Sequence, residues 1–180
     1  FGAAVAFSIF LRQNSLPLLA MADLTAPSLA IGLAFGRIGC LMNGCCYGDR
    51  CELPWAVRFP VGRVPDTALV SRGFVLPDET FVFALHPSQV YMSLNGVILA
   101  VLTHAYFRYR HRDGSVLALG WLAYPVARFL MEYVRGDEMG QFNTPLTISQ
   151  WVSMGLFVSG LVFLGWLMRR PATRMSAPAA

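Results

Sequence analysis

Lysine is absent from this sequence: all 14 basic side chains are arginines, and the formal net charge of +4 rests on them alone. A basic chain invites a nucleic-acid reading. Here, however, no basic tract is interleaved with aromatics as a nucleic-acid groove requires, and the arginines stand singly or beside apolar runs. That pattern argues against nucleic acid and favours anionic lipid headgroups as the partner. Charge of either sign is scarce, at 13% of residues against 56% hydrophobic ones, which excludes an ordinary soluble domain of 180 residues. No charged region precedes the opening FGAAVAFSIFL, so it does not read as a signal peptide; the expectation is the back half of a spanning helix.

What fills the chain instead is apolar runs of membrane length. A hydrocarbon core of about 30 Å takes about 20 apolar residues in helix. On that rule four complete spans follow the first: about Asp23–Gly44, Pro87–Phe107, Val116–Val134 and Ile148–Met168. Residues 45–85 are rich in Pro, Gly and mixed charge, and their WAVRF and FVFAL segments read as a small strand-like cap outside the bilayer. The expected fold is an all-α polytopic membrane protein. It is a bundle of about five transmembrane helices, the first truncated, in a single domain over 1–170 with a polar cytoplasmic tail at 171–180.

Loop charges give an orientation. Arg12, Arg108, Arg110, Arg112, Arg169, Arg170 and Arg174 share one side, whereas the arginines of the 45–85 segment are outweighed by its acids, for a net of −1. The positive-inside rule then places the C-terminus in the cytoplasm and the cap outside.

The informative residues are those that interrupt the apolar runs. Arg37 lies in the second span, and Arg128 and Glu132 in the fourth. An arginine at mid-bilayer costs roughly 2.5 to 3.5 kcal/mol on insertion scales, so each needs a partner or a wet cavity. One account is structural, since Glu132 follows Arg128 by four residues and can pair with it along the helix. The other is functional: Arg37 and Arg128 both lie about 10 Å below the outer exit of their spans. Two guanidiniums at one depth suit a phosphate, which arginine holds bidentately, and lipid headgroups supply phosphate there.

HPSQVY at 86–91 brings the chain back into the bilayer, with Pro87 suited to a first helical turn and His86, Ser88, Gln89 and Tyr91 around the mouth. His104 and His111 belong to the far end of the bundle. Gly32 and Gly36 have the spacing of close helix packing, while Gly44 and Gly48 fall where a helix must end and turn. Cys40, Cys45, Cys46 and Cys51 cluster at the outer end of the second span. A disulfide from Cys51 to Cys45 or Cys46 is one reading and small buried side chains another; their spacing matches no common zinc pattern, so no metal is expected.

GRIGCLMNGCCYG at 36–48, HPSQVY at 86–91 and RFLMEYVRGDE at 128–138 stand in the order and spacing of three blocks of the prolipoprotein diacylglyceryl transferases, and the chain resembles that family from Asp23 to Ser153. The resemblance implies an inner-membrane enzyme without cofactor. Such an enzyme moves the diacylglyceryl group of phosphatidylglycerol to the lipobox cysteine of a prolipoprotein signal peptide, releasing glycerol phosphate among membrane lipids. It implies catalytic roles for Arg37, Arg128, Tyr91 and Glu132. Substrate contacts are implied for Arg37, Asn43, Gly44, Gly48, His86, Ser88, Gln89 and Arg135, with Asp23 and Gln150 at less distinctive positions. The family usually has asparagine at the place of Cys40 and an acid at that of Cys45, so a related transferase with another acceptor is one alternative. A lipid-binding or transport subunit is the other, and would need polar residues running through to the cytoplasmic half.

Overall fold

A computed structural model describes residues 2–60, 83–135 and 143–171. Five α-helices carry the chain: α1 Gly2–Gln13, α2 Leu18–Asn43, α3 Ser88–Tyr109, α4 Ser115–Met131 and α5 Ile148–Met168. Each expected span is present as a helix, and the last has the expected bounds. Three of them, α2, α3 and α5, are long and apolar enough to cross a membrane. The fourth is a shorter element than expected: α4 has 17 residues and continues as a 3-10 turn over Glu132–Val134. A rise of about 1.5 Å per residue gives α4 itself roughly 26 Å, and the tighter turn lengthens it.

Successive helices run antiparallel and stack α2 on α3 and α4 on α5, with α3 and α4 joining the pairs. Consequently the C-terminal ends of α2 and α4 meet the N-terminal ends of α3 and α5. That end carries all three sequence blocks. We call it the motif end, and the opposite one, with the Arg108–Arg112 turn, the arginine end.

The closest approach is between α2 and α3. A Cβ on Gly96 would stand 2.9 Å from the Ala34 amide nitrogen and 3.0 Å from the Ala30 carbonyl oxygen. The expected contact glycines, Gly32 and Gly36, have nothing within 4 Å of a built Cβ. Small residues do bring the helices together here, but they are Gly96, Ala30 and Ala34. The α4 and α5 contact repeats the device at Gly160, where a Cβ would meet Leu122 at 2.9 Å.

Only the two ends of the expected strand-like cap, residues 45–60 and 83–85, lie among the described residues. Among the described residues there is no strand, and isolated antiparallel bridges join Leu85 to Arg50 and to Val57. Those bridges close over Tyr47, Phe59 and Leu85, which form a small apolar nucleus with Leu41 and Val57. The greater part of FVFAL's approach, residues 61–82, lies outside the described residues, as do 172–180 of the tail.

At the arginine end the expected loop charges turn out to be structural. Asp23, fully buried in α2, accepts from the amides of Gly114 (2.8 Å) and Leu117 (2.9 Å), so a carboxylate from another helix caps α4. Arg110 stands between Asp23 (3.6 Å) and Asp113 (3.5 Å) and lies over the Phe107 ring at 3.8 Å. Arg112 donates to the carbonyls of Leu167 (2.8 Å), Met168 (2.7 Å) and Arg170 (2.7 Å), closing the C-terminal end of α5.

Two outcomes follow for detergent-solubilised protein. Asp23→Ala removes one of the two carboxylates beside Arg110 and leaves two amides uncapped, and is expected to cost about 3 to 5 kcal/mol, seen as a lowered unfolding midpoint. Gly96→Leu is expected to destabilise by about 1 to 3 kcal/mol as it forces α2 from α3, whereas Gly32→Ala, facing open space, should leave the midpoint unchanged or slightly raised.

Candidate active site

Two polar groups assemble at the motif end, and a backbone contact ties them together. The first is built on α4 and α5. Arg128 donates through Nη1 to Glu132 one turn later and through Nη2 to the Ser149 hydroxyl at 2.7 Å. Glu132 is itself buried and accepts from the Thr147 hydroxyl at 2.8 Å. Thr147 is the N-cap of α5, where a reciprocal capping box joins it to Gln150. The 3-10 turn matters here because it carries Glu132 at the point where α4 tightens and the chain leaves the bundle. Arg128 is thus pinned from two helices, yet its side chain keeps 13% of its surface open. A charge-assisted network held this way presents a guanidinium in a fixed orientation with donors left over.

The second group is built where α2 ends and α3 begins. Asn43 is the last residue of α2, and Gly44 adopts the left-handed conformation (φ 71°) that the turn requires, its amide donating back to α2 carbonyls. Ser88 and Gln89, both buried, then hold the turned chain: the Ser88 hydroxyl donates to the Cys46 carbonyl (2.6 Å) and the Gln89 amide to the Cys45 carbonyl (2.7 Å). The other carboxamide atom, Gln89 Oε1, is buried without a hydrogen-bond partner. Tyr91 Oη accepts from Trp55 Nε1 at 2.7 Å and lies 3.4 Å from His86 Nδ1, with the two rings edge to face.

Gly48 is the hinge between the groups. Its amide donates to the His86 carbonyl at 2.9 Å, and the next amide, Asp49, donates to the Val134 carbonyl at 3.1 Å, at the end of the α4 turn. A Cβ at Gly48 would fall 2.6 Å from His86 Cβ and 2.7 Å from the Val134 oxygen, so only glycine fits.

The sequence-predicted residues therefore divide. Arg128 and Glu132 are bonded to each other, while His86, Ser88, Gln89 and Tyr91 surround the turn that Gly44 and Gly48 shape. Arg135 is half-buried just beyond the 3-10 turn, its amide donating to the Glu132 carbonyl at 3.1 Å. Asn43 is exposed. Arg37 is half-buried on α2 and makes no ion pair or hydrogen bond among the described residues. Sequence reasoning passed over Ser149, Thr147 and Trp55. The TISQ capping-box spacing was the available signal for Thr147, and nothing local marks Trp55.

The cysteines are all free thiols, so the expected disulfide is not formed. Cys40, Cys45 and Cys46 instead converge, their Sγ atoms all within 4.8 Å of one another, while Cys51 stands outside the group. The helix end produces this: α2 stops at Asn43, and the turn at Gly44 folds Cys45 and Cys46 back toward Cys40, with Cys46 itself at φ 60°.

Below the polar groups the bundle is apolar. A cavity of about 360 Å³ opens between α2, α3, α4 and α5, lined by residues such as Leu33, Leu99, Trp121, Tyr124 and Leu156. A second of about 370 Å³ lies between α4 and α5 against Phe129 and Phe157, one turn from Arg128.

A sequence profile described as prolipoprotein diacylglyceryl transferase matches residues 1–166. Similar curated proteins named phosphatidylglycerol--prolipoprotein diacylglyceryl transferase include one from Gloeobacter violaceus, 38% identical over 98% of this chain and 61% of the relative. Another, from Clostridium tetani, is 32% identical over 89% of this chain and 58% of the relative. The chain thus spans about three fifths of the length of these relatives. With a profile match over almost its whole length and the three ordered blocks gathered at one end of a helical membrane bundle, the chain belongs to the prolipoprotein diacylglyceryl transferase family.

Proposed function

We propose that this protein transfers the diacylglyceryl group of phosphatidylglycerol to the thiol of a lipobox cysteine in prolipoproteins. The observation that carries the reading is Arg128, fixed by Glu132 and Ser149 inside an apolar bundle with 13% of its side-chain surface open. In the reaction a thiolate attacks the glyceryl carbon, a carbon–sulfur bond forms, and the carbon–oxygen bond to phosphate breaks. The leaving glycerol phosphate takes the electron pair. Negative charge moves from sulfur to phosphate oxygen, so cations placed at the phosphate lower the barrier. Arg128 is the fixed cation, and Arg37, free of protein partners among the described residues, is the second. Glu132 positions Arg128, while Tyr91, with His86 and Trp55 on its hydroxyl, and Asn43 orient substrate. Gly44, Gly48, Ser88 and Gln89 shape the turn against which the headgroup rests, and Arg135 adds charge at its rim.

Transport is the weaker reading. Between the motif end and the Asp23 cluster the cavity shared by α2, α3, α4 and α5 is lined almost wholly by apolar side chains, and Thr103, a buried hydroxyl in its wall, is bonded to carbonyls of its own helix. That leaves no run of polar groups among the described residues along which a charged solute would pass.

We place the protein in the bacterial inner membrane with the arginine end and the C-terminus in the cytoplasm, in line with the positive-inside rule. A phosphatase reporter fused after Arg170 should then stay inactive, and activity there would invert the topology. In the full-length protein, Arg128→Ala should lower lipidation of a lipobox peptide at least about 100-fold, as loss of a charge-stabilising donor does. Glu132→Gln should act mainly through Arg128, raising KM for phosphatidylglycerol. Unchanged transfer by the Arg128 variant would remove this assignment.

A further inference from the structure

The three converging cysteines are the group that the transfer chemistry does not use. We propose that Cys40, Cys45 and Cys46 form a thiolate site for one Zn2+ ion, with a fourth coordination position open to a thiol from outside the chain. Three sulfurs at about 2.3 Å from a tetrahedral ion lie roughly 3.8 Å apart. The three Sγ atoms are already within 4.8 Å of one another, so closing on an ion asks for shifts within side-chain rotation rather than a new backbone path. Entry of the ion releases three thiol protons to solvent and forms three sulfur–metal bonds, and no oxidant is needed.

The backbone is preset for this arrangement. Cys46 is held at φ 60°, a region non-glycine residues seldom enter. Ser88 and Gln89 pin the carbonyls of Cys46 and Cys45 from α3, which fixes where the two side chains start. A ligand shell oriented by such hydrogen bonds is what metal sites use to hold geometry. A disulfide between Cys45 and Cys46 is disfavoured, because consecutive Cα atoms are about 3.8 Å apart and disulfides usually span ~4.4 to 6.8 Å.

No fourth histidine, cysteine or carboxylate joins the group among the described residues. A zinc ion with three protein ligands keeps a position for water or substrate, whereas structural sites are closed by four. Sulfur ligands select a thiophilic ion, and the incoming ligand best matched to it is a thiol, which loses its proton on binding. The metal site itself stands on the cysteine geometry; only its use on the acceptor thiol rests on the transfer reading.

The test takes the full-length protein, purified in detergent under reducing, oxygen-free conditions, and titrates it with Zn2+ against a chromophoric chelator. One equivalent should bind, and Zn2+ should slow alkylation of Cys40, Cys45 and Cys46 while Cys51 stays reactive. Cys51→Ser should bind as before, and each of C40S, C45S and C46S should lose at least about 100-fold in affinity. The alkylation pattern of the unaltered protein decides the matter independently of how well those three variants fold. Four equally reactive thiols with Zn2+ present, or a Cys40–Cys45 disulfide that persists under reductant, would overturn the site. The Co2+ form should change its visible spectrum when a small thiol is added, whatever the transfer activity; an unchanged spectrum would overturn the open position, and loss of lipidation with thiol binding intact would leave the site standing and the transfer reading in error.

Discussion

A helix that begins inside an apolar surrounding must find acceptors for its first amides, and α4 starts after a glycine that has no side chain to serve. Asp23 supplies both acceptors from 91 residues away, through Gly114, and from 94 away, through Leu117. A buried carboxylate is itself costly unless compensated, and Arg110 compensates it while resting on Phe107. One carboxylate thereby fixes the start of α4, the end of α3 and the depth of α2 together. Since α4 carries Arg128 and Glu132 at its far end, their height in the bundle is set by this contact, about 20 Å away along the helix axis.

The motif end obeys the same rule with other groups. Where α2 ends, its carbonyls and those of the following turn are met by the Gly44 amide and by Ser88 and Gln89 on α3. Where α5 starts, its capping box satisfies the first amides, and the cap residue Thr147 spends its hydroxyl proton on Glu132. A helix cap and a site residue therefore share one hydrogen-bond chain. Displacing the cap would move the carboxylate, and through it the guanidinium.

The helices were legible because apolar length is a direct signature of a bilayer, and the α5 bounds were read to the residue. Arg128 and Glu132 were legible because charge within such a run is rare and their four-residue spacing permits only one helical face. The contact glycine was not: Gly32 and Gly36 have the right spacing, but spacing is silent on which helical face meets a neighbour, and Gly96 has no partner glycine in its own sequence. Arg110 and Arg112 were read as loop charges because their partners, Asp23 and the α5 carbonyls, lie far off in the chain. The cysteine cluster escaped for a related reason. Metal spacings assume regular elements, and here a helix end and a left-handed turn bring Cys45 and Cys46 back onto Cys40.

The two ends of the bundle differ in how completely their charges are matched, and that difference separates scaffold from site. At the arginine end, Asp23 spends both oxygens on amides, Arg112 covers three carbonyls, and Arg110 sits between two carboxylates. Arg110 Nε is buried there without a hydrogen bond, but it keeps a carboxylate oxygen at 3.5 and at 3.6 Å. At the motif end, Arg37 has no protein partner among the described residues, Arg128 retains open surface, and Gln89 keeps a buried oxygen without a donor. Such vacancies cost stability in an apolar medium, since an unmatched buried group forfeits its hydration. In the transfer reading proposed above, an anionic headgroup would supply acceptors to the arginines and an incoming hydroxyl or thiol a donor to the carboxamide. The incompleteness of that end is thus the feature on which the proposed transfer reading rests.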